Sequence, residues 1–328
     1  MIKSGLKLLT VIFLFSLVSS YILPSGDVAA SAGEREVLTY LVLGLDDAAE
    51  NADIIMLVGC DTSDGSLTFL QVPRDTYCDY GGGQNKINGV FASYRNGGLS
   101  EKESLVSFTN DFSEIFGVRI DASFAVTVPA FLEFVESLGG VCVTMPHEYT
   151  FYDEHGNQGF TLTAGENRLS AKEAELFVRH RRGYSLGDLT RIDAQKIFLS
   201  GVVKSVLKES IPKLIKAAYS ARDNFYANCK FGDFVKLLVK KPGRNQKIAR
   251  CFVTLPGEAV MSQSGISYYS VNKKSAAELL SRYFVTEQFD SDKKLLFEAD
   301  AAFYNIYYDE NSHYREYTDE NLGDIKLK

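Results

Sequence analysis

The stretch FVRHRRGYSLGDLTRIDAQ, residues 177–195, holds Arg179, Arg181, Arg182 and Arg191. The chain around it is acidic, with 42 Asp and Glu against 35 Lys and Arg and a formal net charge of −7. Positive charge is therefore concentrated locally, and it calls for a local anion. Upstream, QVPRDT supplies Arg74 and Asp75, QNKING supplies Lys86 and Asn88, and LGLDDAAENAD supplies Asp46, Asp47 and Asp53. A planar guanidinium grips two phosphate oxygens at once, where lysine offers a point charge. A divalent cation between carboxylates and phosphate oxygens would neutralise what remains. Phosphoryl transfer needs little covalent help from a protein, because positioning and charge stabilisation supply most of the rate. Arginines with two aspartates suffice for a diphosphate, without a histidine or cysteine nucleophile. Each feature also has a plain structural reading: cations favoured at a helix end, an ion pair at a strand end, aspartates capping turns.

The elements that must bring these groups together are legible. VLTYLVLGLD is a short apolar run closed by Gly and Asp, a buried strand. DIIMLVGCDTSDGSLTFLQVPRD reads as a hairpin with its turn at Ser63-Asp64-Gly65 and its second strand stopped by Pro73. Asp53 opens the first strand and Arg74 closes the second, so antiparallel pairing sets them side by side. NKINGVFASYRNGG is a short helix, and Ser100 with Glu103 forms a capping box for a helix to about Phe116. A strand follows at DASFAVTV, then a helix opened by Pro129, then a strand at VCVTMP. Ser170 and Glu173 make a second capping box ahead of a helix that ends at the arginine cluster.

A long amphipathic helix is expected from about Leu189 to Leu207, N-capped by Thr190. It would carry Arg191 and Gln195 on one face at i, i+4. Further helices are read at 210–222, 231–240 and KSAAELLSRYF, and late strands at KIARCFVTLPG and GISYYSVN. Alternating strands and helices argue an α/β fold, a three-layer α/β/α sandwich around a central mixed β-sheet.

The N-terminus is an export signal. Lys3 and Lys7 precede an uncharged run from Leu8 to Leu23, which spans ~24 Å as a helix against a hydrocarbon core of ~30 Å. Residues 1–24 are read as a transmembrane signal anchor and 25–36 as a polar linker. A cleavable signal peptide ending near Ala30-Ser31-Ala32 is the rival reading. Both place the chain from about residue 33 outside the cytoplasm. Residues 37–285 then form the functional domain, and 286–328 a polar, tyrosine-rich tail. The net acidity excludes a general nucleic-acid binder. Five cysteines without a CxxC pair, and four scattered histidines, leave little for a zinc site.

Taken in order, YLVLGLD, ADIIMLVGCDTSDGSLTFLQVPRDT, NKING, FLEFVESLGGVCVTMP, LTAGENRLSAKEAELFVRHRR and GDLTRIDAQ resemble the LytR-CpsA-Psr family, the cell-wall glycopolymer ligases of Gram-positive bacteria. The resemblance runs over roughly residues 37–285. It implies transfer of a glycopolymer (teichoic acid, capsule or a related wall polysaccharide) from a polyprenyl diphosphate carrier to peptidoglycan, at the membrane, through a phosphodiester. A side diphosphatase activity goes with it.

By position, Asp46 and Asp53 would hold Mg2+ or Mn2+. Arg74, Asp75, Arg179 and Arg181 would be catalytic. Arg74, Lys86, Arg179, Arg181, Arg191 and Gln195 would bind the diphosphate. Two positions depart from the family pattern: Asn51 and Ala194 stand where arginine is usual. A non-catalytic protein that binds the polyprenyl-linked glycan and organises envelope assembly fits the same residues. A glycosidase using Asp46 and Asp53 as acid and base leaves the arginines unexplained.

Overall fold

The computed structural model describes residues 37–46, 48–61, 63–78, 86–153, 155–181, 184, 187–210, 212–213, 225–228, 249–262, 264–286, 303–305 and 316–327. In chain order the first half comprises β1 (Val37–Leu45), β2 (Ala52–Asp61), β3 (Leu67–Val72), α1 (Ile87–Asn96), α2 (Glu101–Phe116), β4 (Ala122–Val126), α3 (Val128–Ser137) and β5 (Val141–Met145). There follow β6 (Tyr149–Tyr152), β7 (Gln158–Leu162), β8 (Gly165–Leu169), α4 (Ala171–Arg179) and α5 (Asp188–Lys208). The last described elements are β9 (Phe225–Ala227), β10 (Arg250–Thr254), β11 (Gly257–Ser262), β12 (Ser267–Val271), α6 (Lys273–Tyr283), β13 (Phe303–Asn305) and β14 (Tyr317–Thr318).

Among the described residues the central sheet has seven strands in the order β14-β10-β3-β2-β1-β4-β9. It is mixed: β1 runs parallel to β4 and β3 parallel to β10, while β2 lies antiparallel between β1 and β3. Strands β1, β3, β4 and β10 therefore end at the same edge, where β2 begins. Alternation along β1 splits the core in two. Tyr40 and Val42 face a cluster with α3, α4 and α5, while Leu41 and Leu43 face one with α1, α2 and α6. The expected three layers are present.

Local signals set most boundaries. Both expected capping boxes form, at Ser100–Glu103 and Ser170–Glu173. Phe108, Phe112 and Phe116 recur at i+4 on α2, and all are buried against the sheet. Helix α5 differs from expectation in two ways. It starts at Asp188, with Gly187 and not Thr190 as N-cap, because Gly187 turns the chain at φ 52, a conformation that suits glycine. Nor is it amphipathic: residues from Thr190 to Val206 are buried nearly all round, since the sheet, α4 and the β5–β8 pair enclose it. Strands β6, β7 and β8, and β11 between the two late strands, were not expected.

The segments 1–24, 25–36 and 231–240, and nearly all of 210–222, lie outside the described residues. No helix of the described residues is long and apolar enough to cross a membrane. Within the polar C-terminal stretch, β14 pairs with β10, and Leu322, Ile325 and Leu327 are buried against the α5 side of the core. Cys60 and Cys78 are buried, and Cys142 and Cys251 partly so.

A tight approach offers a test of this packing. A Cβ on Gly201 of α5 would stand 2.3 Å from the Cys142 carbonyl oxygen of β5. Gly201→Ala should cost about 1–3 kcal/mol by forcing helix and strand apart and lower Tm by several degrees, at roughly 2–4 °C per kcal/mol. An unchanged melting curve by circular dichroism would contradict this packing.

Candidate active site

Hairpin pairing does what its sequence requires. Ile55 faces Val72 across β2 and β3, so the next residues outward bring Asp53 beside Arg74, and the two form an ion pair. At the same edge, α5 delivers Asp188 and Arg191 from its first two turns. Asp188 is surrounded by cations: its Oδ1 lies 2.8 Å from Arg191 Nη2, 3.5 Å from Arg181 Nε and 3.8 Å from Arg74 Nε. Arg191 is 4% exposed, whereas Arg181 remains 41% exposed. Arg191 Nη2 also donates to the Asp53 carbonyl at 3.4 Å.

Burial and neighbouring charges oppose each other here. For Arg74, burial disfavours the cation, but Asp188, Asp53 and Asp75 outweigh it and raise the pKa above its usual value. For Arg191, burial dominates and pulls the pKa down to about 10, with Arg181 and Arg74 adding to the fall against the pull of Asp188. Arg191 stays charged at neutral pH all the same. Arg74 Nε and Arg191 Nε are buried without a hydrogen-bond acceptor, so the cluster retains donor capacity for an anion.

Behind the cluster a cavity runs between the sheet and the helices. Its volume is about 130 Å³, and it is open to solvent. Val42, Met56, Val126, Phe131, Phe198 and Val202 make its walls apolar, while Asp46, Asp53, Glu175, Arg179, Arg191 and Gln195 collect at the polar end. Gln195 fixes the junction of three elements: it accepts from Gln71 of β3 at 2.9 Å and donates to the Val178 carbonyl of α4 at 2.9 Å.

The expected residues thus divide. Arg74, Arg181 and Arg191 converge on Asp188. Arg179 lines the cavity but pairs with Glu175 at 2.9 Å, one turn back on its own helix. Asp75 and Lys86 pair with each other at 3.0 Å and do not line the cavity, although the Asp75 charge reaches Arg74. Arg182 and Asp47 lie outside the described residues. Between Arg179 and Arg181, His180 is buried. Its Nδ1 donates to the Tyr152 carbonyl at 3.0 Å, and the rings of Tyr149, Phe151 and Tyr184 surround it. That anchor sets the backbone from which the flanking arginines project.

Asp46 accepts from the Glu50 and Asn51 backbone N–H groups at 2.9 and 3.2 Å and from Asn51 Nδ2 at 2.7 Å. A carboxylate has about four lone-pair sites, so Asp46 keeps capacity for a cation, as does the second oxygen of Asp53. Among the described residues no group of three or more His, Cys, Asp or Glu could hold a metal ion. Two carboxylates do fit a magnesium ion that takes its other ligands from phosphate oxygens and water.

Asp188, Gln71 and Glu175 were not singled out from the sequence. Signals existed for each. Asp188 stands i−3 from Arg191 and Glu175 i−4 from Arg179, and Gln71 is a lone amide in the apolar strand LTFLQV.

The LytR_cpsA_psr family model matches residues 24–284. The chain belongs to this family. Among its relatives is the cell wall biosynthesis protein LcpA of Corynebacterium glutamicum, 28% identical over 53% of this chain and 36% of LcpA. The chain thus spans about a third of that relative's length. A second is the polyisoprenyl-teichoic acid–peptidoglycan teichoic acid transferase TagU of Bacillus subtilis, 24% identical over 77% of this chain and 79% of TagU. Among solved structures, TagT of B. subtilis superposes with a TM-score of 0.56 at 20% identity, covering 80% of this chain and 94% of TagT. TagT bound to LIIa-WTA gives the same score. These likenesses establish the LytR_cpsA_psr fold.

Gln195→Leu removes the amide that joins β3, α4 and α5, leaving the Val178 carbonyl and the Gln71 amide buried without it. The expected loss is about 1–3 kcal/mol, read as a lower urea midpoint at unchanged slope. An unchanged midpoint would contradict the junction.

Proposed function

We propose that the protein is an extracytoplasmic, membrane-anchored transferase that moves a wall glycopolymer from a polyprenyl diphosphate carrier to a peptidoglycan hydroxyl. The supporting observation is the convergence of Arg74, Arg181 and Arg191 on Asp188, with Arg191 also lining an apolar cavity beside Arg179, Asp46 and Asp53. A cationic rim over an apolar channel matches a lipid diphosphate: guanidiniums for the head, Val42, Met56, Val126, Phe131 and Phe198 for the chain. The names of TagU and of TagT bound to LIIa-WTA lend support to the wall-glycopolymer reading.

In the reaction the acceptor hydroxyl oxygen attacks the glycan-side phosphorus. A phosphodiester to the glycopolymer forms, the bond to the polyprenyl phosphate breaks, and the hydroxyl proton is released. Arg74, Arg181 and Arg191 bind the non-bridging oxygens and stabilise charge that grows on the leaving phosphate. Arg179 is placed to add a fourth cation from the cavity wall, with Gln195 holding α5 in register. Asp75 and Lys86 support Arg74 from outside the cavity. Asp46 and Asp53 would hold magnesium or manganese, which when bound neutralises diphosphate charge.

The full chain, in detergent with Mg2+ and a polyprenyl-diphosphate glycan, should release polyprenyl phosphate. Arg74→Ala should slow that release by about 100-fold or more, the range seen when one such charge-stabilising donor is lost. Were wild type to neither bind nor cleave the lipid, the proposal would fail. Binding without turnover, surviving Asp46→Ala and Asp53→Ala, would assign the protein to the non-catalytic binders instead.

A further inference from the structure

Nothing in the proposed reaction requires the carboxylate of Asp188, yet it is the most heavily contacted charge in the site. It sits at the first position of α5, on a helix whose buried length fixes it firmly. Its three cationic neighbours stand at graded distances. All three are ion pairs, at 2.8 Å to Arg191, 3.5 Å to Arg181 and 3.8 Å to Arg74, and both Asp188 carboxylate oxygens are buried without a hydrogen-bond partner. Arg191 is therefore held closest, whereas Arg74 and Arg181 are drawn inward without donating a hydrogen bond to Asp188.

We propose that Asp188 is a positioning residue, an internal counter-anion that holds Arg74, Arg181 and Arg191 converged and yields Arg74 and Arg181 to the diphosphate as it enters. This rests on the diphosphate reading above. Before ligand binds, the carboxylate offsets the mutual repulsion of the guanidiniums. Once the phosphate oxygens arrive, Asp188 is a like charge beside them. Two opposite effects follow from one group: it improves the geometry of the bound head and weakens raw anion affinity. A helix-end acid that merely favours the dipole would do neither.

The test uses the full chain in detergent with Mg2+. Calorimetry with inorganic pyrophosphate reads anion affinity, and prenyl phosphate release from a short-chain prenyl-diphospho-sugar reads turnover. Asp188→Asn should bind pyrophosphate about tenfold more tightly, because one nearby negative charge is gone, while kcat falls at least about tenfold as the guanidiniums splay. Asp188→Glu restores the charge, so its pyrophosphate affinity stays close to wild type and its kcat falls between wild type and the Asn variant. Affinity and kcat falling together, or neither changing, would overturn the inference. Should Asp188→Asn not fold, Asp188→Glu decides alone, and a kcat equal to wild type counts against it. If wild type binds no pyrophosphate and Arg74→Ala behaves identically, the diphosphate reading fails and carries this inference with it. If wild type binds and Arg74→Ala does not, that reading stands whatever the Asp188 variants show.

Discussion

Like charges do not gather unaided. At an effective dielectric of about 20, two unit charges about 6 Å apart repel by nearly 3 kcal/mol, and this protein draws three guanidiniums to one carboxylate oxygen. The pKa of Arg191, lowered to about 10, reflects burial first and that repulsion second. Asp188 and Asp53 make the arrangement tolerable. They do not satisfy it, since Arg74 and Arg191 each keep a buried Nε without an acceptor. A site built this way keeps guanidinium donors unused, which suits an anionic ligand.

The fold answers the demand by letting rigid elements end at one place. Parallel strands β1, β3 and β4 finish at the same edge, and β2 begins there, so Asp46, Arg74 and Asp53 come from strand ends. Ligands of open α/β sheets collect at such carboxyl edges. Helix α5 supplies the other half, because its burial on nearly all sides fixes the direction of its first turns. The segment between α4 and α5 would otherwise be loose. His180, held by the Tyr152 carbonyl and three rings, pins it.

Much of this was readable before any coordinates. Both capping boxes, the central hairpin and the pairing of Asp53 with Arg74 follow from short-range chemistry, where residue type and spacing suffice. The misses have a common cause. Local pattern predicts an amphipathic α5, but a helix enclosed on all faces shows no local sign of what encloses it. Side-chain preference points to Thr190 as cap, whereas Gly187 makes the turn by backbone freedom alone. Strands β6 to β8 carry Thr, Gln, Glu and Asn and lie in two-stranded pairs outside the main sheet, so apolar alternation never marked them. Asp188 was legible as an acid near Arg191. Its role was not, because Arg74 reaches it from a distant part of the chain.

The two departures from the family pattern now have physical content. Asn51 donates to Asp46 at 2.7 Å within a loop that Ala49 closes at φ 56, a left-handed conformation costing of order 1 kcal/mol or more. A neutral amide therefore orients Asp46 where an arginine would have added a cation. Ala194 is fully buried in the core beneath the sheet, where a guanidinium would displace close packing and need its own counter-charge. Both replacements remove positive charge without opening a gap. On the proposed reading, binding of the diphosphate therefore rests on Arg74, Arg181 and Arg191, with Arg179 beside them. With asparagine and alanine where the family resemblance leads one to expect arginine, the placement of each remaining cation matters more, and so does the carboxylate beside them.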